Sequence, residues 1–202
     1  MSNGDNFEDR LADALDEMVG DDGIALLRKQ SWQTRRGNFQ MSQEADVLVD
    51  SPDRNLYSAF ECKSRSHAET REKGLTGLYF SGDYKSEQIE KQAEYRDKSG
   101  RRFFVGVELR DFRGADVAAF LVPLELFEIV EERGDSKVTW EQIAYMGRYI
   151  GGEEIEVTRD DLDAVEAVGL DYADDPDMAD QWVEQTDDGE TVPVDEFPPV
   201  EV

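Results

Sequence analysis

EADVLVDSPDRNLYSAFECK, residues 44–63, is the stretch on which the reading of this 202-residue chain turns. EADVLVD (44–50) alternates apolar and polar residues as a half-buried strand does, SPDRN makes a turn, and LYSAFECK (56–63) is a second strand. The pair reads as a hairpin. Period two puts Tyr57, Ala59, Glu61 and Lys63 on one face and turns Leu56, Phe60 and Cys62 toward a core. On the first strand, Asp46 shares a face with Leu48 and Asp50, opposite Val47 and Val49. Two carboxylates and an ammonium can therefore converge at one end of the hairpin.

Outward from it, Phe7, Leu11, Ala14, Leu15 and Met18 recur at helical spacing, predicting a helix from Asn6, its N-cap, to Val19, with Gly20 ending it. GIALLRKQSW (23–32) reads as a strand followed by a polar loop. Residues 64–83 read as a long polar loop and SEQIEKQAEYRDKS (86–99) as a charged helix. RRFFVGVEL (101–109) and VAAFLVP (117–123) are strands of the buried kind, and PLELFEIVEE starts a helix at Pro123. The order α-β-β-β-α-β-β-α defines a mixed α/β core over 1–131. A small extension, 132–170, is predicted to hold a helix over 138–150, a short strand in EEIEV, and a helix over 158–170. There Thr158 is the cap and Asp161 takes the capping-box position. Residues 171–202 hold 12 acids, no Lys or Arg and four prolines, the composition of a disordered tail.

Composition narrows the function. One cysteine and one histidine exclude a disulfide framework, a cysteine-ligated zinc site and a histidine metal cluster. No apolar run approaches the roughly 18 residues of a membrane span. MSNGDNFEDR has neither half of a secretory signal, so a cytoplasmic protein without a membrane partner is expected. The net charge of −26 argues at first against nucleic acid. Its distribution argues back: residues 28–113 carry 17 bases against 14 acids, whereas 114–202 carry 4 against 26. An acidic chain low in lysine, with 7 Lys to 15 Arg, fits a salt-rich cytoplasm in which cations are kept where an anion must be attracted. An acidic decoy that mimics nucleic acid is the other source of such charge. Arg28, Lys29, Arg35 and Arg36 before Asp46, and Arg65, Arg71 and Lys73 in the 64–83 loop, are the candidate phosphate contacts. Tyr79 and Phe80 could help that loop grip or wedge DNA.

Asp46, Glu61 and Lys63 suit metal-assisted hydrolysis of a phosphodiester. Mg²⁺ takes oxygen ligands, keeps several waters and needs only one or two carboxylates. A nearby Lys can orient the water and offset charge at phosphorus. The carbonyl of Cys62 lies between the two side chains as a further ligand. A Glu-x-Lys triplet is common by chance at this composition; Asp83-Tyr84-Lys85 and Asp135-Ser136-Lys137, in Gly-flanked turns, are discounted. Glu61-Cys62-Lys63 differs in ending an apolar strand. A surface Glu–Lys pair satisfies the same pattern, and on these residues alone both readings stand.

The run of NFEDRLADAL, EADVLVD with Asp46, AFECKS with Glu61 and Lys63, SEQIEKQAEY, RRFFVGVEL and AAFLVPLELF resembles the PD-(D/E)XK nuclease superfamily. Within it, the run is similar to archaeal and bacterial Holliday junction resolvases. That resemblance implies a restriction-endonuclease-like mixed sheet flanked by helices, and a homodimer cutting branched or duplex DNA with Mg²⁺ (or Mn²⁺). It implies Asp46 and Glu61 as metal ligands, Lys63 as the water-orienting residue, Glu8 as an additional metal-site acid and Gln88 as an organising residue on its helix. Ala45 stands where the family often has Pro. A repair, replication or restriction-like nuclease keeps the same site with another substrate, and an acidic, non-catalytic DNA-mimic interaction protein remains the rival from a different class.

Overall fold

Val47 and Val49 are fully buried while Asp46, Leu48 and Asp50 between them are half-buried, which is the alternation that marks a strand lying over a core. In a computed structural model describing residues 3–27, 45–52, 56–66, 77–112, 115–174, 183–185 and 191–193, this strand is β2 (Val47–Ser51). It pairs antiparallel with β3 (Leu56–Ser66) from Val47↔Phe60 to Ser51↔Leu56. The predicted hairpin is therefore present.

Around it lie α1 (Asn3–Val19), β1 (Ile24–Leu27), β4 (Gly77–Tyr79), α2 (Ser86–Ser99), β5 (Arg102–Phe112), β6 (Ala115–Pro123) and α3 (Leu124–Glu132). These are followed by β7 (Lys137–Thr139), α4 (Trp140–Met146), β8 (Arg148–Gly151) and α5 (Arg159–Asp174). Six strands form one mixed sheet in the order β1-β2-β3-β5-β6-β8. Among the described strands only β3 and β5 run parallel, and the segment carrying β4 and α2 makes the crossover between them, as a parallel pair requires. This is a mixed α/β architecture with helices on both faces of a central sheet.

Each face has its own core. On one, Phe7, Leu11 and Leu15 of α1 pack with Leu162 and Val165 of α5 over Val47, Phe60 and Phe104. A Cβ at Gly106 of β5 would meet Leu11 Cδ2 at 2.9 Å, so the missing side chain is what lets α1 lie so close to the sheet. On the other face, Ile89 of α2 and Leu124, Leu126 and Phe127 of α3 cover Ala59, Phe103, Val105 and Val107.

The structure departs from the sequence reading in several places. α1 begins at Asn3, so Asn6 lies inside the helix and is not its N-cap. β3 continues three residues beyond Lys63, and residues 77–79 of the expected 64–83 loop form β4, paired with β7. A strand of three residues is too short to show a period. Residues 138–150 are not one helix. Thr139 and Gln142 form a capping box that starts the seven-residue α4, and after Gly147 the chain becomes β8, which pairs with β6 in the main sheet. EEIEV forms no strand beyond an isolated bridge between Ile155 and Gly151. The capping box expected at Thr158 and Asp161 is present. In 171–202, α5 runs on to Asp174, and β9 (Val183–Gln185) pairs with β10 (Thr191–Pro193).

Candidate active site

The site forms at the N-terminal end of β2, beyond which β3 continues without it. Asp46 N–H donates to the Phe60 carbonyl at 2.8 Å, the last rung of the β2–β3 ladder. Two residues further along β3, the Cys62 N–H donates to Asp46 Oδ2 at 2.8 Å, so the Asp46 side chain takes the place of a backbone acceptor just before β2 begins. In an extended strand the N–H and C=O of one residue point to the same side. The Cys62 carbonyl therefore also faces Asp46. The Cys62 thiol points the opposite way from Glu61 and is buried with Phe60 and Phe104.

Glu61 is only 4% exposed. Lys63 Nζ donates to its Oε1 at 2.5 Å and Gln88 Nε2 to the same oxygen at 2.6 Å, while Gln92 Nε2 donates to Oε2 at 2.8 Å. Gln88 and Gln92 stand one turn apart on α2, so a single helix face supplies both amides. The Tyr84 hydroxyl donates in turn to Gln92 Oε1, and the Lys63 ammonium lies 4.8 Å from the centre of the Tyr84 ring.

Burial, with a further push from the Asp46 carboxylate, raises Glu61 to a pKa of about 7, against the pull of Lys63 and Gln88. The Cys62 thiol is pushed up by burial and then by Asp46, Glu61 and Glu8, which brings all three acids within electrostatic reach of one backbone position. Tyr84 is held protonated by the same causes, burial first and then Glu61 and Asp46. Two carboxylates and a single ammonium, which is bound to Glu61, leave an excess of negative charge beside the Cys62 carbonyl. This all-oxygen set fits a hard divalent cation that keeps part of its water shell. Among the described residues, no three His, Cys, Asp or Glu side chains close into a ligand cluster. Glu8, half-buried on α1, thus stands near the site without joining Asp46 and Glu61 in one.

Of the expected residues, the structure brings together Asp46, Glu61, Cys62, Lys63 and Gln88. Arg65 lies on β3 and not in a loop, and it is ion-paired to Asp83 at 2.5 Å. Phe80 is buried in the core and unavailable as a wedge, while Tyr79 is half-buried on β4 with Lys137 over its ring. Arg28, Lys29, Arg35, Arg36, Arg71 and Lys73 lie outside the described residues. The basic segment is also less available than its net charge implied. Arg96, Lys98, Arg101, Arg102 and Arg110 all have a carboxylate within 4 Å. Lys85 and Lys91, exposed at the start of α2 on either side of Gln88, have no acidic partner among the described residues.

Tyr84 and Gln92 were not singled out from the sequence. Gln92 could have been: it repeats Gln88 at i+4 in a helix otherwise crowded with charge, and it is fully buried. Tyr84 carries no local signal, because its burial depends on Phe127 of α3, whose ring it meets edge-on at 4.9 Å.

No family model matches the chain, and no curated protein does. Among solved structures, it is similar to Hjc, a Holliday junction resolvase from the archaeal hyperthermophile Archaeoglobus fulgidus, at 16% identity and a TM-score of 0.43. The match covers 70% of this chain and 94% of that one.

Proposed function

We propose that the protein is a Mg²⁺-dependent DNA endonuclease of the PD-(D/E)XK type that resolves four-way junctions as a homodimer. The observation that carries this reading is the convergence of Asp46, Glu61, the Cys62 carbonyl and Lys63 at the N-terminal end of β2. Asp46, Glu61 and the Cys62 carbonyl hold the metal. When bound, Mg²⁺ supplies Lewis-acid polarisation of a phosphoryl oxygen and activation of a water. In the reaction the water gives up a proton as its oxygen bonds to phosphorus, the P–O ester bond breaks and the leaving oxygen takes up a proton, so that none is gained or lost overall. Lys63, held against Glu61 and over Tyr84, positions its ammonium beside the attacked phosphate and offsets the charge that develops there. Gln88 and Gln92 fix the carboxylate, so that little reorganisation is left for the reacting complex.

Lys85 and Lys91, flanking Gln88 in sequence, supply backbone contacts, and Arg28, Lys29, Arg35, Arg36, Arg71 and Lys73 are further candidates by charge alone. Phosphate contacts position a duplex without reading its bases, as an enzyme selecting shape requires. Two symmetric cuts across a junction suit a two-fold assembly.

The test is cleavage of end-labelled DNA in Mg²⁺ at high KCl, comparing a four-way junction, a matched duplex and a single strand, with Asp46→Ala as control. Paired symmetric nicks in the junction alone, absent from the variant, are the expected result. Asp46-dependent cutting of duplex or single strand instead moves the substrate and keeps the chemistry. No Asp46-dependent cutting by the folded protein overturns the enzyme reading.

A further inference from the structure

We propose that Tyr84 and Gln92 act as a positioning relay that sets both Glu61 and Lys63, so that divalent-metal binding at this site depends on the phenol hydroxyl of a residue that touches neither metal nor DNA. The inference rests on the reading of Asp46 and Glu61 as metal ligands.

Gln92 is fully buried, and its two amide ends do different work. Its carbonyl accepts the Tyr84 hydroxyl and its NH₂ donates to Glu61 Oε2. A buried amide can be turned over, exchanging donor for acceptor. Here a turned amide would present an oxygen to a carboxylate oxygen and leave the phenol without an acceptor. The Glu61 carboxylate only accepts and so meets the NH₂ end, and the Tyr84 hydroxyl, kept protonated in its buried place, donates to the oxygen at the other end and holds the amide in that orientation. The same ring lies against the Lys63 ammonium, with Phe127 packed edge-on beside it. One side chain from the connection between β4 and α2 therefore restrains the carboxylate through its hydroxyl and the ammonium through its face. Residues that orient a metal ligand from behind typically change metal affinity by about 10–100-fold when removed. The alternative is that Tyr84 is a core residue whose polar end merely needs an acceptor.

Phe127→Leu separates the two, because it loosens the packing around Tyr84 and leaves the hydroxyl in place. Mg²⁺ is titrated calorimetrically into the full-length chain as Tyr84→Phe, Gln92→Met, the double variant and Phe127→Leu, with thermal melts alongside. Tyr84→Phe is expected to weaken Mg²⁺ binding about 10–100-fold, Gln92→Met by a similar factor, and the double variant by no more than the larger of the two. Phe127→Leu is expected to lower the melting temperature and leave Mg²⁺ binding unchanged. On junction DNA, Tyr84→Phe should lower kcat at saturating DNA and leave KM unaltered. If Tyr84→Phe does not fold, Gln92→Met, close in volume and without a donor, carries the test. Wild-type Mg²⁺ affinity in the two single variants, additive losses in the double one, or an equal loss in Phe127→Leu overturns the relay. Asp46→Asn and Glu61→Gln check the reading beneath it: if they also bind Mg²⁺ like wild type, the metal site itself is wrong. If they alone lose it, only the relay falls.

Discussion

Two glutamates in neighbouring central strands are almost equally inaccessible, Glu61 at 4% and Glu108 at 3%, yet their surroundings differ in kind. Glu108, on the α1 side of β5, meets two guanidiniums. Arg10 of α1 binds one of its oxygens, the Ser64 hydroxyl donates to the other at 2.6 Å, and Arg110 stands 3.8 Å away. Arg10 also donates to the carbonyls of Gly152 and Glu153, so this carboxylate ties α1, two strands and the turn after β8 together. Glu61, on the opposite face, has one ammonium, two neutral amides and a second carboxylate nearby. A buried carboxylate surrounded by permanent cations is a structural tie. One given mostly neutral donors and a like-charged neighbour is left short of positive charge, and that shortage is what a divalent cation can fill.

The comparison is sharpest in catalysis. Glu61→Gln and Asp46→Asn should reduce junction cleavage below detection while the protein stays folded, read by the end-label assay with circular dichroism as control. Glu108→Ala should instead be a folding lesion, losing about 1–3 kcal/mol in urea melts, because it leaves two half-buried guanidiniums without their carboxylate.

The pH dependence of stability should separate the two again. Between the ordinary carboxylate value of 4.5 and about 7, the folded chain keeps a proton on Glu61 that the unfolded chain has released. The contribution of Glu61 to stability is thus complete below 4.5 and lost as pH rises through about 7. In EDTA, Glu61→Gln should match wild type at pH 5 and exceed it by about 1–3 kcal/mol at pH 8. An absent or opposite trend would mean that Lys63 already compensates the charge.

How much of this could be read beforehand follows from range. Asp46, Glu61 and Lys63 were legible because alternation fixes a face over a few residues and polar residues ending an apolar strand call for a reason. Glu108 stood alone among apolar neighbours in VGVEL, a visible anomaly, but its partner Arg10 is 98 residues away and no local pattern names it. β4, β7 and β8 were missed because strands of three or four residues have no period to show, and β8 belongs to the sheet only through its pairing with β6. The basic segment misled in another way. Net charge counts cations, and it does not say which have acidic partners once the chain folds.

That difference yields the smaller effects. Lys85→Ala with Lys91→Ala should weaken junction binding and flatten its logarithmic salt dependence by about 1 for each lost phosphate contact, measured by anisotropy over a KCl series. Arg102→Ala, whose partners Asp163 and Glu166 are 52% and 45% exposed, should leave both DNA binding and salt slope unaltered and change stability by no more than about 1 kcal/mol.

Arg10 reaches carbonyls 142 and 143 positions further along the chain, and Phe7, Leu11 and Leu15 share their core with Leu162 and Val165. A ribosome adding about 5–20 residues per second makes α1 roughly 7–30 s before the segment that closes over it. For that interval the first helix has an apolar stripe and no finished surface to cover it. Synthesis of this chain therefore passes through a vulnerable period set by its topology, during which a nascent-chain chaperone has something specific to hold.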